Sequence, residues 1–131
     1  MKRHTQAMPL RFTYEGPELE RAVAAGAPQL VYFFMTGCPA CVQGRPMLEA
    51  RIKALDEAGV FQNEVLAYDV SRGNGKCAPA DAVNTVPRLR LFSNGQHTDI
   101  DFRQQQTNEE FVAQVKDLVR MGTFIQTILS F

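Results

Sequence analysis

The hydrophobic and polar positions along the chain predict strands in three separate segments. Residues 9–15 alternate large apolar side chains with polar ones, which is typical of a half-buried strand. Residues 29–35 are apolar and rich in aromatic side chains, a pattern that indicates a strand covered on both faces. Residues 64–70 form another apolar strand. These segments predict a sheet with helices packed on it.

A β-hairpin is predicted in the second half of the chain. Residues 88–93 alternate leucines with Arg88 and Arg90, and Asn94-Gly95 is a strong two-residue turn signal. Residues 96–102 then return as the partner strand. Because Arg88 and Arg90 share one face of the strand, we expect that face to be solvated, with steering of acidic partners as the alternative. His97, beside the turn, is expected to be exposed.

Helical spacing appears between the predicted strands. Pro17 suits the first turn of a short helix that Gly26 ends. Apolar residues recur with helical spacing from 39 to about 58, and Pro46 predicts a kink inside this longer helix. Residues 78–84 are compatible with one or two further helical turns.

A last helix is predicted after the hairpin. Thr107 and Glu110 have the spacing of a capping box, and the apolar face that follows continues to Val119. Residues 121–131 then form an unusually apolar C-terminal extension. If this extension is helical, its apolar stripe must be covered, either by the core of the same domain, which we favour, or by a second copy in a homodimer.

These elements indicate one α/β domain over residues 1–131, with a mixed central sheet and helices on both faces. Neither repeats nor linkers interrupt it, and we expect residues 1–8 to be flexible. The order of elements is strand, helix, strand, helix, strand, helix, strand, strand, helix. A monomer is expected.

Composition and charge narrow the functional classes. Hydrophobic residues make up 45% of the 131 residues and charged residues 21%, which is typical of a globular protein. The 14 basic and 14 acidic side chains balance, which argues against a nucleic-acid partner. The longest apolar run, residues 30–35, is far shorter than the roughly 20 residues of a membrane-spanning helix. Because the N-terminus does not resemble a signal peptide, we expect a cytoplasmic protein.

Two of the three cysteines carry the chemistry that the sequence predicts. They occur as Cys38-Pro39-Ala40-Cys41, directly after a buried strand and at the start of a helix. A helix N-terminus favours the thiolate form of Cys38, and Cys41 lies about one turn further on, where it can attack a disulfide formed at Cys38. A structural zinc site is the alternative, but it needs four ligands, and Cys77 and the two histidines are scattered. We therefore predict redox chemistry with no metal or organic cofactor.

With these features the chain resembles the thioredoxin family from about residue 9 to residue 119. The shared features, in order, are a buried strand ending in the cysteine pair, Pro46 five residues after Cys41, and Val86-Pro87 before a hairpin. The resemblance implies a thioredoxin fold, a cis Pro87 that faces Cys38, and a Val86 main chain that pairs with the substrate.

The same resemblance assigns the individual site residues. Cys38 is the nucleophile and Cys41 the resolving thiol. It also places Gly37, Pro39 and Ala40 beside Val86 and Pro87 among the residues that contact the substrate.

Several positions differ from the family pattern. Gly37 replaces the usual tryptophan, and Pro39-Ala40 replaces the usual Gly-Pro between the cysteines. Tyr32 occupies the position of the family's buried aspartate, and its nearby lysine has no counterpart in residues 66–70. The group that accepts the proton of Cys41 is therefore open between water, Asp69 and Tyr32.

The sequence predicts a thiol–disulfide oxidoreductase, most simply a protein disulfide reductase. Its partners would be proteins that contain disulfides and a thioredoxin-reductase-like or thiol electron donor. A glutaredoxin-like, oxidase-like or isomerase-like exchange enzyme is one alternative, and a non-catalytic binding or accessory module is another. Thr85-Val86-Pro87 also resembles glutaredoxins, although their Gly-Gly segment after the hairpin is missing. Cys77 is predicted to be inert and packed, with a regulatory disulfide as the alternative.

Overall fold

The computed structural model describes residues 10–60, 64–71, 78–81 and 83–129. These residues form a five-stranded sheet with helices on both faces, as predicted. The elements, in chain order, are β1 (Leu10–Thr13), α1 (Gly16–Ala24), β2 (Gln29–Phe34), α2 (Pro39–Glu57), β3 (Val65–Asp69), α3 (Ala78–Asp81), β4 (Arg88–Ser93), β5 (Gln96–Ile100) and α4 (Asn108–Leu129).

The sheet has the strand order β1-β3-β2-β4-β5. The first three strands in this order are parallel, while β4 is antiparallel to β2 and to β5. The central strand β2 is buried along almost its whole length because helices cover both of its faces. The predicted hairpin is present, and Asn94 and Gly95 at its turn both have positive φ.

Alternate residues of the strands pack into two separate hydrophobic cores, one on each face of the sheet. On one face, α2 and α4 pack on the sheet around residues such as Tyr32, Leu48 and Phe111. On the other face, α1 and α3 cover a smaller core around Leu19 and Phe33. The period-two pattern of side chains therefore assigns neighbouring residues of β2, such as Tyr32 and Phe33, to different layers.

Some predicted boundaries differ from the structure. Helix α4 continues to Leu129, so the predicted C-terminal extension is a continuation of the last helix rather than a segment after it. We expected the face of β4 with the two arginines to be solvated, but Arg90 on this face is only 5% exposed. That expectation is wrong for Arg90. The predictions for residues 1–8 and for Cys77 lie outside the described residues, as do the side chains that would test how residues 122–131 are covered.

A buried arginine joins α2 to the connection between β5 and α4. The guanidinium of Arg51 donates hydrogen bonds to the carbonyls of Phe102 (3.2 Å), Gln104 (3.1 Å) and Gln106 (3.0 Å), and to Asn108 Oδ1 (2.9 Å). It also lies over the Phe111 ring, 5.4 Å from the centroid. One guanidinium therefore satisfies three main-chain carbonyls of the loop and one side chain at the start of α4.

A buried carboxylate joins the ends of β2 and β3. Asp69 accepts hydrogen bonds from the Thr36 hydroxyl, the Ser71 amide (2.9 Å) and the Ser71 hydroxyl (2.7 Å). Burial alone would raise the pKa of the Asp69 carboxyl, but the hydrogen bonds from Thr36 and Ser71 outweigh it and hold this pKa below its ordinary value. Because Thr36 lies in the connection between β2 and α2, Asp69 anchors the loop that carries the cysteine pair.

We predict that replacing Arg51 strongly destabilises the fold. Arg51→Met keeps the apolar length of the side chain but leaves three carbonyls without their donor, which we expect to lower the free energy of unfolding by about 3 kcal/mol. Urea denaturation of the oxidised protein measures this loss. Arg120→Met is the matched control, since Arg120 and its partner Asp117 are exposed and their pair is worth less than about 0.5 kcal/mol. Equal unfolding midpoints for the two variants would contradict the structural role of Arg51.

The Asp69 carboxylate predicts a pH-dependent contribution to stability. A lowered folded-state pKa means that its stabilisation is present above the ordinary value of 3.8 and is lost as the pH falls through the folded-state value. We expect Asp69→Asn to lower the free energy of unfolding by about 1–2 kcal/mol at neutral pH and by progressively less as the pH falls below 3.8. The measurement is denaturation at several pH values, with Asp117→Asn as an exposed control. A difference from wild type that stays constant with pH would exclude a role for the charge.

Candidate functional site

The cysteine pair lies where the central strand passes into a helix. After β2, the chain turns through Met35, Thr36 and Gly37 before α2 begins. Gly37 has φ of +84°, a left-handed conformation that favours glycine, although a Cβ atom added there would meet nothing within 4 Å. The absence of the family's tryptophan at this position therefore has a local reason in the backbone conformation.

Cys38 is the N-cap of α2. Its backbone is extended, with φ of −90° and ψ of 111°, and its Sγ accepts a hydrogen bond from the Cys41 amide at 3.1 Å. The Cys38 carbonyl accepts the Val42 amide at 3.1 Å. Cys38 thus occupies the position where Ser or Asp often caps a helix, so its sulfur lies in the positive field of the first turn. Pro39 occupies the first helical position, where no amide donor is needed.

The two cysteines form a disulfide, with their Cα atoms 5.2 Å apart. Cys38 is 9% exposed and Cys41 4% exposed, so Cys38 is the more accessible residue of the pair. Two large apolar residues close to the pair in the chain are exposed, Met35 at 40% and Val42 at 69%. Pro39 is exposed and Ala40 is half-buried. The cysteine pair therefore lies among residues that are partly open to a partner.

Val86 and Pro87 lie at the same edge of the sheet as the cysteine pair. The Val86–Pro87 peptide bond is cis, as the family resemblance implied. Strand β4 begins at the next residue, Arg88, which is paired with Phe33 near the end of β2. Since the cysteine pair follows the end of β2, the antiparallel register brings the start of β4 to that end of the sheet. Both Val86 and Pro87 are half-buried, so part of each is accessible.

The structure assigns Tyr32 a different role from a proton acceptor. Its side chain is fully buried, and its hydroxyl donates a hydrogen bond to the Cys41 carbonyl at 3.2 Å. Burial raises the pKa of the Tyr32 phenol, although the charges of Arg45 and Arg103 oppose the shift. The phenol is therefore protonated at neutral pH, and it holds the first turn of α2 rather than accepting a proton.

Asp69 is also engaged elsewhere. Its two carboxylate oxygens accept hydrogen bonds from Thr36 and Ser71, as described for the ends of β2 and β3. Its position in the structure is that of an anchor for the loop before Cys38. Which group accepts the proton of Cys41 stays a prediction from the sequence, with water among its candidates.

Asp99, which binds the arginine after Pro87, is a residue that the sequence pattern did not identify. Arg88 donates hydrogen bonds to Thr85 and to Asp99, and Arg90 donates to the same Asp99 carboxylate. The hydrogen bonds from Arg90, followed by those from Arg88, lower the pKa of Asp99 against the effect of burial. The sequence pattern marked the two arginines, but only the strand register identifies Asp99 as their shared partner.

Metal centres and membrane spans are both absent from the described ranges. There, no group of three or more His, Cys, Asp and Glu side chains is placed to hold a metal ion. Over the same residues, none of the helices combines the length and the apolar character needed to cross a membrane. His97 is exposed and packs its ring against Phe92, with 5.7 Å between centroids.

Comparison with solved structures supports the fold. The J-Trx1 fragment of ERdj5 matches with a TM-score of 0.59 and 22% identity over 85% of this chain and 52% of that one, so the chain spans about half of that fragment. Thioredoxin from Trypanosoma brucei brucei matches with a TM-score of 0.64 and 8% identity over 92% of this chain and 99% of that one. The first thioredoxin domain of mouse protein disulfide-isomerase A4 matches with a TM-score of 0.59 and 20% identity over 91% of this chain and 88% of that one.

The sequence itself provides the family assignment. No curated protein sequence matches the chain. The model of the Thioredoxin family, in contrast, matches residues 12–117, which include the cysteine pair, the cis-proline and the hairpin. Because the match covers most of the chain and agrees with the fold, the chain belongs to the thioredoxin family.

Proposed function

We propose that the protein is a thiol–disulfide oxidoreductase that reduces disulfides in other proteins. The observation that carries this proposal is the position of Cys38, which caps α2, accepts the Cys41 amide and is the more exposed residue of the pair. A thioredoxin-like domain with two cysteines at disulfide distance supports thiol–disulfide exchange in general. The direction of exchange and the use of protein substrates go beyond this general chemistry, and we propose them here.

The reaction would proceed in two exchange steps. In the reduced protein, the Cys38 thiolate attacks a substrate disulfide, a bond forms between Cys38 and one substrate sulfur, and the other sulfur leaves as a thiolate and is protonated. The Cys41 thiol then loses its proton and attacks Cys38 Sγ, which releases the second substrate sulfur as a thiolate. Two electrons pass to the substrate, and the Cys38–Cys41 disulfide remains. Val86 supports binding by pairing its main chain with an extended substrate segment.

The first turn of α2 supports reduction over oxidation. Strong oxidants of this class stabilise their reduced form through the thiolate of the first cysteine. Here the thiolate gains the Cys41 amide and the helix dipole, but residues 39–44 contain no charged side chain that would add to them. We therefore infer a thiolate stabilised by main-chain groups, which leaves the dithiol form a good reductant.

The proposed partners follow from this chemistry. Proteins with accessible disulfides would be the substrates, and a thioredoxin-reductase-like flavoenzyme or a low-molecular-weight thiol would return the two electrons. The exposed Val42 side chain, on the first turns of α2, would contact the substrate beside its disulfide. A cytoplasmic location, with its reducing thiol pool, is the setting that we propose for this direction.

The different roles of the two cysteines can be tested with insulin as a protein disulfide substrate. We expect Cys38→Ser to reduce insulin no faster than the background rate with dithiothreitol, because the attacking thiolate is gone. Cys41→Ser should instead accumulate a mixed disulfide between Cys38 and insulin, because the resolving thiol is missing. Non-reducing electrophoresis and mass spectrometry identify this adduct. The control is Cys77→Ser, for which we expect the wild-type rate.

Two outcomes would contradict this assignment. Wild-type turnover by Cys38→Ser would show that the cysteine pair is not the reacting group. Equal trapping of insulin by Cys38→Ser, through Cys41, would show that the two sulfurs have no separate roles.

The proposed direction can be tested through the reduction potential of the cysteine pair. We expect a value more negative than about −230 mV, because no charged side chain in the first turn of α2 stabilises the thiolate further. Equilibration with glutathione buffers followed by alkylation and mass measurement gives this potential. A value above about −180 mV would place the protein with the oxidases and isomerases.

A further inference from the structure

The loop with the cis-proline is bound by an arginine that directly follows it. Arg88 Nε donates to the carbonyl of Thr85 at 3.3 Å, Nη2 donates to the Thr85 hydroxyl, and Nη1 donates to Asp99 Oδ2. A planar guanidinium can make these three contacts at once because its donors point in fixed directions. Arg88 therefore connects the main chain before Val86 to the edge strand β5.

Asp99 is itself held from a second side. Arg90 donates to Asp99 Oδ1 at 2.6 Å and to Oδ2 at 3.3 Å, and the two residues are directly opposite each other in the β4–β5 register. The Arg90 side chain is 6% exposed and that of Arg88 is 29% exposed. Asp99 is therefore bound by one buried arginine and by one that reaches the surface. Hydrogen bonds from Arg90 and then from Arg88 keep the pKa of Asp99 low, so the carboxylate is charged.

The contact with Thr85 also orients the amide of Val86. The Thr85 carbonyl and the Val86 N–H belong to one planar peptide unit, in which a trans bond directs them to opposite sides. Holding the carbonyl therefore fixes the direction of the N–H. A charged donor on the carbonyl also polarises the peptide and strengthens the N–H as a donor to another group.

We propose that Arg88, held by Asp99, is a positioning residue for protein substrates: it orients the Thr85–Val86 peptide so that the Val86 main chain can pair with an extended substrate segment. This inference rests on the proposed function, in which that main chain binds the substrate. It predicts a role that depends on the shape of the guanidinium rather than on its charge alone. A small disulfide without a peptide main chain gains nothing from this orientation.

The experiment compares Arg88→Met, Arg88→Lys and Asp99→Asn with wild type, using insulin and hydroxyethyl disulfide as the two substrates. We expect Arg88→Met to raise KM for insulin about fivefold with less than a twofold change in kcat, which corresponds to the loss of one hydrogen bond. Arg88→Lys should show the same rise, because a single ammonium nitrogen lacks the three separate nitrogens with which the guanidinium binds Thr85 and Asp99. Asp99→Asn should raise KM in the same direction, since it frees Arg88.

Hydroxyethyl disulfide and a distant variant serve as controls. The rate with hydroxyethyl disulfide should fall less than twofold in each variant, which also shows that the cysteine pair is correctly placed. Arg120→Met removes an exposed arginine of another aspartate pair, on α4, and should leave both substrates at wild-type values.

Three outcomes would overturn the inference. An unchanged KM for insulin in Arg88→Met would exclude a role in binding, and an equal loss with both substrates would show a merely structural role. Full recovery of KM in Arg88→Lys would show that positive charge attracts the substrate instead. If wild type itself failed to reduce insulin above background, the proposed function would fail. If wild type reduced insulin but the Arg88 variants had the same KM, only the inference about Arg88 would fail.

Discussion

The junction between β2 and α2 determines the geometry on which the site depends. Strand β2 is covered on both faces, so a shift by one residue would exchange its two sets of side chains between the cores. The position of Phe34 at its end is therefore set by packing that involves the whole sheet. From there, the left-handed Gly37 turns the chain so that Cys38 caps α2 and receives the Cys41 amide. The reactivity proposed for Cys38 thus follows from burial of a strand that contains no reactive group.

Two carboxylates hold the loop before Cys38 and the loop before Pro87, and they do so by different means. Asp69 accepts from the neutral groups of Thr36 and Ser71, while Asp99 accepts from the cations Arg88 and Arg90. Both carboxylates have lowered pKa values, so both are charged at neutral pH. The loop before Cys38 and the loop before Pro87 are therefore each connected to an ordered strand by charge-assisted hydrogen bonds, which are stronger than bonds between neutral groups. Loops held in this way can present a sulfur and a main-chain amide in a fixed relation.

Much of the fold could be predicted because its signals are local. The apolar β2, the cysteine pair at a helix start and the Asn94-Gly95 turn each identify an element within a few residues. The contacts of Arg51 and Asp99 could not be predicted in this way. Arg51 binds main-chain carbonyls about fifty residues away, and carbonyls have no sequence signature, while Asp99 depends on the exact register of two strands. Long-range pairing of this kind is visible only once the elements have been placed together.

Tyr32 shows how one substitution within a family pattern alters both packing and proton chemistry. Its ring lies between Phe34 (5.7 Å) and Phe102 (6.0 Å), in a row of aromatic side chains beneath α2, and its hydroxyl reaches the Cys41 carbonyl. A carboxylate at this buried position would carry a large desolvation cost unless it were paired, whereas a phenol with one hydrogen bond does not. The neutral ring therefore supports the helix that carries the cysteines, and its hydroxyl adds a hydrogen bond there without adding a negative charge. In the exchange step proposed for Cys38, a carboxylate in place of this phenol would disfavour the thiolate.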